Sequence, residues 1–116
     1  MAELARRRIA LPPPPRVLWA DLAAPRRTGA RVWLVLEPGE RWPTVLESVE
    51  NRRVVWSSLW ERRPEDRIEL LVTPDGGDSA LTFVWHAADP LPGHASPFRY
   101  RLTTLFAAEL RYSYGS

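Results

Sequence analysis

The chain has 116 residues, no cysteine, and sixteen basic residues, all arginine, against fourteen carboxylates. Disulfides, thiolate metal sites and a cysteine nucleophile are excluded, and a net charge of +2 leaves no strong electrostatic footprint for nucleic acid. One domain over residues 1–116 is expected, and no run approaches the ~18 apolar residues that a membrane span needs.

Arg7 to Leu11 reads as a short strand. Pro12 to Pro15 cannot extend a ladder, because proline has no N–H to donate. Arg6-Arg7-Arg8 has the look of a twin-arginine export signal, but the prolines interrupt before an apolar segment can follow; a cytoplasmic protein is expected. Pro15 suits the first position of a helix over Arg16 to Ala24, with Val17, Leu18, Asp21 and Leu22 at helical spacing and Pro25 as the stop. After a polar loop at Arg26 to Gly29, two alternating runs, Arg31 to Glu37 and Arg41 to Val49, are joined by the turn Pro38-Gly39. Pro43 marks the second run as an edge strand or a bulge. Three further alternating runs follow at Val54–Trp60, Ile68–Thr73 and Leu81–His86, separated by Glu61–Arg67 and by Pro74-Asp75-Gly76-Gly77-Asp78. The middle of the chain is thus about five strands of an antiparallel meander. Ala88 to Pro97 is a proline- and glycine-rich loop, and the period then changes to about 3.6. Phe98, Leu102, Leu105, Phe106 and Leu110 share one helix face, with Ser96 as cap, Pro97 at the first position and Glu109 near the centre of that face.

Strand, short helix, antiparallel meander and long C-terminal helix make an α+β, helix-grip order. Several stretches resemble the START-like, or SRPBCC, superfamily: Ile9 to Pro13 followed by Val17 to Leu22, Pro38-Gly39-Glu40, Arg53 to Ser58, Ile68-Glu69-Leu70, and Asp75 to Thr82. The chain departs from that pattern in being short, in having little between the first helix and Arg31, and in carrying Asp78-Ser79 where relatives often show Gly-Thr. The resemblance implies a curved sheet gripping the last helix, with a cavity between them. Members bind lipids, polyketides, sterols or other hydrophobic metabolites, and fold alone does not choose among these.

Trp56, Trp60, Phe83, Trp85, Leu102, Leu105 and Phe106 are the expected walls for a hydrophobic small molecule, or else simply the core of a small domain. Glu109 is the expected polar handle, since a carboxylate in an apolar cavity is a natural hydrogen-bond partner for a ligand; pairing with Arg101 or Arg99 is the alternative. Trp33 and Trp42 are expected on the opposite face, where they would form a homodimer patch. The pattern His86, Asp89, His94 matches no rigid metal motif, so no metal or other cofactor is expected. The acids Glu65-Asp66, Asp75 and Asp78 read as turn residues, and Arg52-Arg53 and Arg62-Arg63 as solvated strand ends or a basic rim. No catalytic residue is assigned, because a G-x-S-x-G elbow, a serine–histidine pairing and a phosphate-cradling loop are all missing. Two alternatives stay open: an enzyme of the cyclase or aromatase kind using Glu109, and an interaction module resembling chaperone-ATPase activators that uses Arg31, Trp33 and Arg53.

Overall fold

A computed structural model describes residues 1–26, 32–89 and 95–115. Its elements are β1 (Ala2–Leu11), α1 (Pro15–Ala23), β2 (Val45–Val49), β3 (Arg53–Ser57), β4 (Arg67–Asp75), β5 (Asp78–Ala87) and a C-terminal helix. That helix runs as α2 (Ser96–Thr104), a π-helical segment (Leu105–Leu110) and α3 (Arg111–Ser113). The strands form one antiparallel sheet in the order β1-β5-β4-β3-β2. The architecture is α+β and follows the helix-grip plan.

The β4–β5 hairpin is the best-defined signal. Asp75 pairs with Asp78, and the two residues between them are glycines, the first at φ 63°. That backbone conformation suits glycine. Asn51, at φ 61°, turns β2 into β3 in the same region of φ/ψ space, which asparagine tolerates. β2 lies at a sheet edge, and its register with β3 shifts between Val45 and Glu47. Pro43 sits just ahead of it, so the proline signal for an edge strand and a bulge holds.

Three expectations need correction. The first strand is twice as long as the Arg7–Leu11 reading and pairs with β5 from Ala2 to Leu11. The run after Arg31 is no strand: Val32 to Glu37 cross as coil, while Arg31 itself lies outside the described residues. Its alternation is still used, since Trp33 and Leu34 are buried and Val32 and Val35 are exposed. The edge beside β5 is already taken by β1, so this run lies against the C-terminal helix instead, where Arg101 Nη2 donates to the Val35 carbonyl at 2.8 Å. Finally, Ser96 does not cap the last helix. Ala95 holds the cap position, and no side chain bonds to the helix start. Pro15 opens α1 as expected.

Inner-register side chains meet α1 and the C-terminal helix in one core. It unites Val54, Trp56, Ile68, Leu70, Leu81, Phe83 and Trp85 with Leu18, Leu22, Leu102, Leu105, Phe106 and Leu110. Phe106 is its centre, with ring centroids 5.6 Å from Phe83, 5.7 Å from Trp56 and 6.3 Å from Trp33. Trp33 in turn stacks on Trp56 at 6.0 Å. Trp60, Trp85 and Phe98 make a second aromatic group, with centroids 4.7 to 5.7 Å apart. Trp33 therefore belongs to the core rather than to an outer dimer patch. Trp42 also packs against the core and carries Arg26 over its ring at 5.5 Å. Polar ties fix α1: Trp56 Nε1 donates to the Leu22 carbonyl at 2.8 Å, and the Tyr114 hydroxyl donates to Asp21 Oδ2 at 2.6 Å.

Candidate functional site

All seven apolar site residues read from the sequence face the space between sheet and last helix. Trp56, Trp60, Phe83, Trp85, Leu102, Leu105 and Phe106 are buried there and pack on one another. Their period-two and helical spacings gather them on facing surfaces. Two of these indoles bond through Nε1, Trp56 to the Leu22 carbonyl and Trp85 to Asp66 Oδ2 at 2.8 Å, whereas the buried Trp33 Nε1 has no partner among the described residues.

Asp66 is a buried structural acid, not a solvated turn residue. Its Oδ2 also accepts from Arg63 Nε, its Oδ1 accepts from the Ala88 amide at 3.1 Å, and Arg63 Nη2 donates to the Asp89 carbonyl. Arg63 lies 5.5 Å over the Trp85 ring and 5.9 Å over Phe98. The reading of Arg63 as a solvated strand end is thus corrected, because this ion pair clips the β3–β4 connection to the end of β5.

Glu109 does not stand at the centre of the apolar face. The π-helical segment supplies the reason. Two α-turns advance ~7 residues, whereas a π-turn adds about one more, so Glu109, eight residues on, stands over Arg101. Arg101 Nη1 donates to both Glu109 carboxylate oxygens at 3.1 Å, and the glutamate side chain is 36% exposed. The alternative of pairing with Arg101 is the one found. Arg101 itself is buried and grips Glu40 with two bonds, Nε to Oε2 at 2.8 Å and Nη2 to Oε1 at 2.9 Å. Glu37 approaches its Nη1 at 3.7 Å. Burial alone would lower the Arg101 guanidinium, but the bonds to Glu40 and the charges of Glu109 and Glu37 outweigh it and hold it above the ordinary arginine value. Glu40 and the paired fork of Arg101 were not legible as a site. Their separation of 61 residues leaves no local spacing signal.

The outer sheet face carries charges instead of tryptophan. Arg53 Nε donates to Glu69 Oε2 at 2.7 Å and Nη1 donates to Glu47 Oε1 at 3.2 Å, while His86 Nε2 lies 3.0 Å from Glu69 Oε1. The Arg53 hydrogen bond pulls the Glu69 carboxyl below the usual carboxylate range, against the opposing effect of burial, and His86 adds to that pull. His86 is thus engaged with Glu69, and Asp89 offers its backbone carbonyl to Arg63; His94 lies outside the described residues. Among the described residues no three potential ligands gather around a common metal position.

Among the described residues, an opening of about 270 Å³ lies beside α3, by Ala10, Leu11, Pro12, Asp78 and Arg111, and another lies between the sheet and α2. The latter is a cleft of about 210 Å³ at the β1 edge, lined by Ala5, Arg6, Arg7, Phe83, Arg99 and Thr103. Phe83 is only 1% exposed and forms its floor. Sequence reasoning missed Ala5, Arg7 and Thr103, since nothing in the local pattern shows that β1 pairs with β5 and faces α2. A larger groove of about 590 Å³ lies at the far rim, by Pro15, residues 50–52 and residues 71–74, away from the C-terminal helix. Among the described residues no helix is long and apolar enough to cross a membrane.

This geometry is an α+β helix-grip fold, and solved structures share it. The chain is similar to the Aha1 dimer from Colwellia psychrerythraea, with a TM-score of 0.66 and 11% identity over 96% of this chain and 94% of that one. It is also similar to CalU16 from Micromonospora echinospora, with a TM-score of 0.59 and 16% identity over 87% of this chain and 66% of that one. The AHSA1-like protein RHE_CH02687 from Rhizobium etli gives a TM-score of 0.50 and 17% identity, covering 90% and 82% of the two chains. At these identities the likeness is one of fold. No family model matches this sequence, and no curated protein is significantly similar to it.

Three outcomes follow from the charged clusters. Arg101→Met leaves Glu40 buried without its partner and should lower unfolding stability by about 3–5 kcal/mol in urea at neutral pH. Glu109→Gln, at a half-exposed position, should cost no more than about 1 kcal/mol. Glu69, whose folded pKa is depressed, contributes stability that is complete above the unfolded value of about 4.3 and is lost as pH falls through the folded value. Urea midpoints of Glu69→Gln should therefore lie below wild type at pH 7 and converge on it as acid protonates the wild-type carboxylate.

Proposed function

We propose that the chain binds a small hydrophobic molecule between the sheet and the C-terminal helix. The carrying observation is the cleft at the β1 edge, since it reaches in to Phe83, whose ring centroid lies 5.6 Å from that of Phe106. Ala5 and Phe83 supply the apolar part of the cleft's lining, with Phe83 at the base. Phe106, Leu102, Leu105, Trp56, Trp60 and Trp85 form the packed wall behind it, and Glu109 acts indirectly by holding Arg101. The cleft is smaller than the ~300–1,000 Å³ of typical ligand sites, so a single ring or short chain is the matching size. Its lining holds arginine and threonine as polar groups. Arginine stays protonated at neutral pH, which favours binding over proton transfer and so over a cyclase reaction. The likeness in fold to CalU16 and Aha1 supports the plan of sheet and helix, not the ligand. The cytoplasm is the proposed compartment, because Arg6-Arg7-Arg8 are built into β1.

The test is intrinsic tryptophan emission during titration with aromatic and fatty-acyl molecules. Saturable changes are expected for wild type. Ala5→Phe, which fills the cleft from β1, should abolish them while leaving the unfolding midpoint within reach of wild type. A response that survives in Ala5→Phe would put binding elsewhere, and silence across the panel would mean the interior only packs.

A second reading is self-association through β2. That strand is a free edge with Leu46 41% and Val49 48% exposed, and one neighbour in fold is a dimer. Light scattering should then show a dimer that Leu46→Glu converts to monomer.

A further inference from the structure

We infer that the β1–α2 cleft is a subsite for the carboxylate of an amphiphilic organic acid, held between Arg7 and Arg99. The inference rests on the ligand-binding reading above and names the class of ligand. Arg7 stands at an inward register position, opposite Phe83 and two residues from Ala5 and Ile9. An arginine there is unusual, because the neighbouring inward positions of β1 serve the core. Arg99 comes from the first turn of α2 and lines the same space from the helix side.

The other cations near the site are already engaged. Arg6 is bound to Glu3 at 2.9 Å, Arg8 lies 3.7 Å from Asp75, and Arg101 is saturated by Glu40 and Glu109. The side chains of Arg7 and Arg99, both exposed, make no hydrogen bond or ion pair among the described residues. No carboxylate lines the cleft. Two guanidiniums without side-chain partners therefore line one cavity that has no counter-charge of its own, a setting that attracts an anion. Guanidinium groups match a planar carboxylate with paired N–H donors, and the Thr103 hydroxyl adds a further donor at the rim. Ala5 and the Phe83 ring offer an apolar surface for the body of the molecule. A bare inorganic ion would leave that surface unused, so the favoured ligand is an acid with an apolar group of about one ring.

The experiment uses the full chain and three probes at low ionic strength: 4-phenylbutyrate, 4-phenylbutanamide and inorganic phosphate. Binding is followed by calorimetry and by amide chemical shifts. The acid should bind about tenfold or more tightly than the amide, because a site built to bond a charged group rejects an analogue lacking it. Its shifts should centre on Ala5, Arg7, Arg99 and Thr103. Arg7→Gln and Arg99→Gln should each fold normally and each weaken the acid by about tenfold while leaving the amide unchanged. Equal binding of acid and amide in the cleft would overturn the anion inference and leave the hydrophobic site standing. Failure of both to bind would overturn the ligand reading as well. Phosphate binding as tightly as the acid, or full acid affinity in the arginine variants, would also overturn the assignment.

Discussion

Everything in this molecule depends on the aromatic block built around Phe106. Its ring touches Phe83 from β5, Trp56 from β3 and Trp33 from the coil that precedes β2. One side chain thus joins the sheet, the C-terminal helix and the crossing coil. Large aromatic rings bury much area with few rotatable bonds, which suits a small domain with no disulfides. The same economy closes the interior. Rings occupy most of the space between sheet and helix, and among the described residues the openings there lie along β1.

Charge organises what the rings do not. Buried arginines act as clips, each at a junction between elements. Arg63 joins the β3–β4 connection to the end of β5 through Asp66, and Arg101 joins the Glu37–Glu40 turn to the last helix. Both are satisfied by several acceptors, as buried guanidinium groups must be. The π-helical turn is part of this arrangement, since it rotates Glu109 onto Arg101 and away from the apolar face. The exposed Arg7 and Arg99 have no such side-chain partners, and that gives the cleft they share its proposed selectivity.

Much of the inner surface was legible from alternation. Trp56, Trp60, Phe83 and Trp85 are placed on one face by period two, and Phe98, Leu102, Leu105, Phe106 and Leu110 on another by helical spacing. Pro15, Asp75 and the Gly76-Gly77 pair marked real starts and turns. The coil at Val32–Glu37 was misread because its alternation is genuine: it buries Trp33 and Leu34 as a strand would, but it hydrogen-bonds to Arg101 rather than to a neighbouring strand. Arg63 and Asp66 were read as solvated because arginines and acids at strand ends look alike whether buried or not.

Sequence by itself determined the inward face of the meander strands, where the glycine and proline turns fall, and that a long amphipathic helix follows them. These are local properties, set by backbone geometry and by residues a few positions apart. Only the tertiary structure decided which strand borders β5, which charges are buried as pairs, and which openings survive between sheet and helix. Those outcomes rest on contacts such as Arg101 with Glu40, 61 residues away, and on the pairing of β1 with β5 across nearly the whole chain. Edge occupancy and charge compensation are settled by whichever partner packing brings within reach, and short-range periodicity carries no record of that partner.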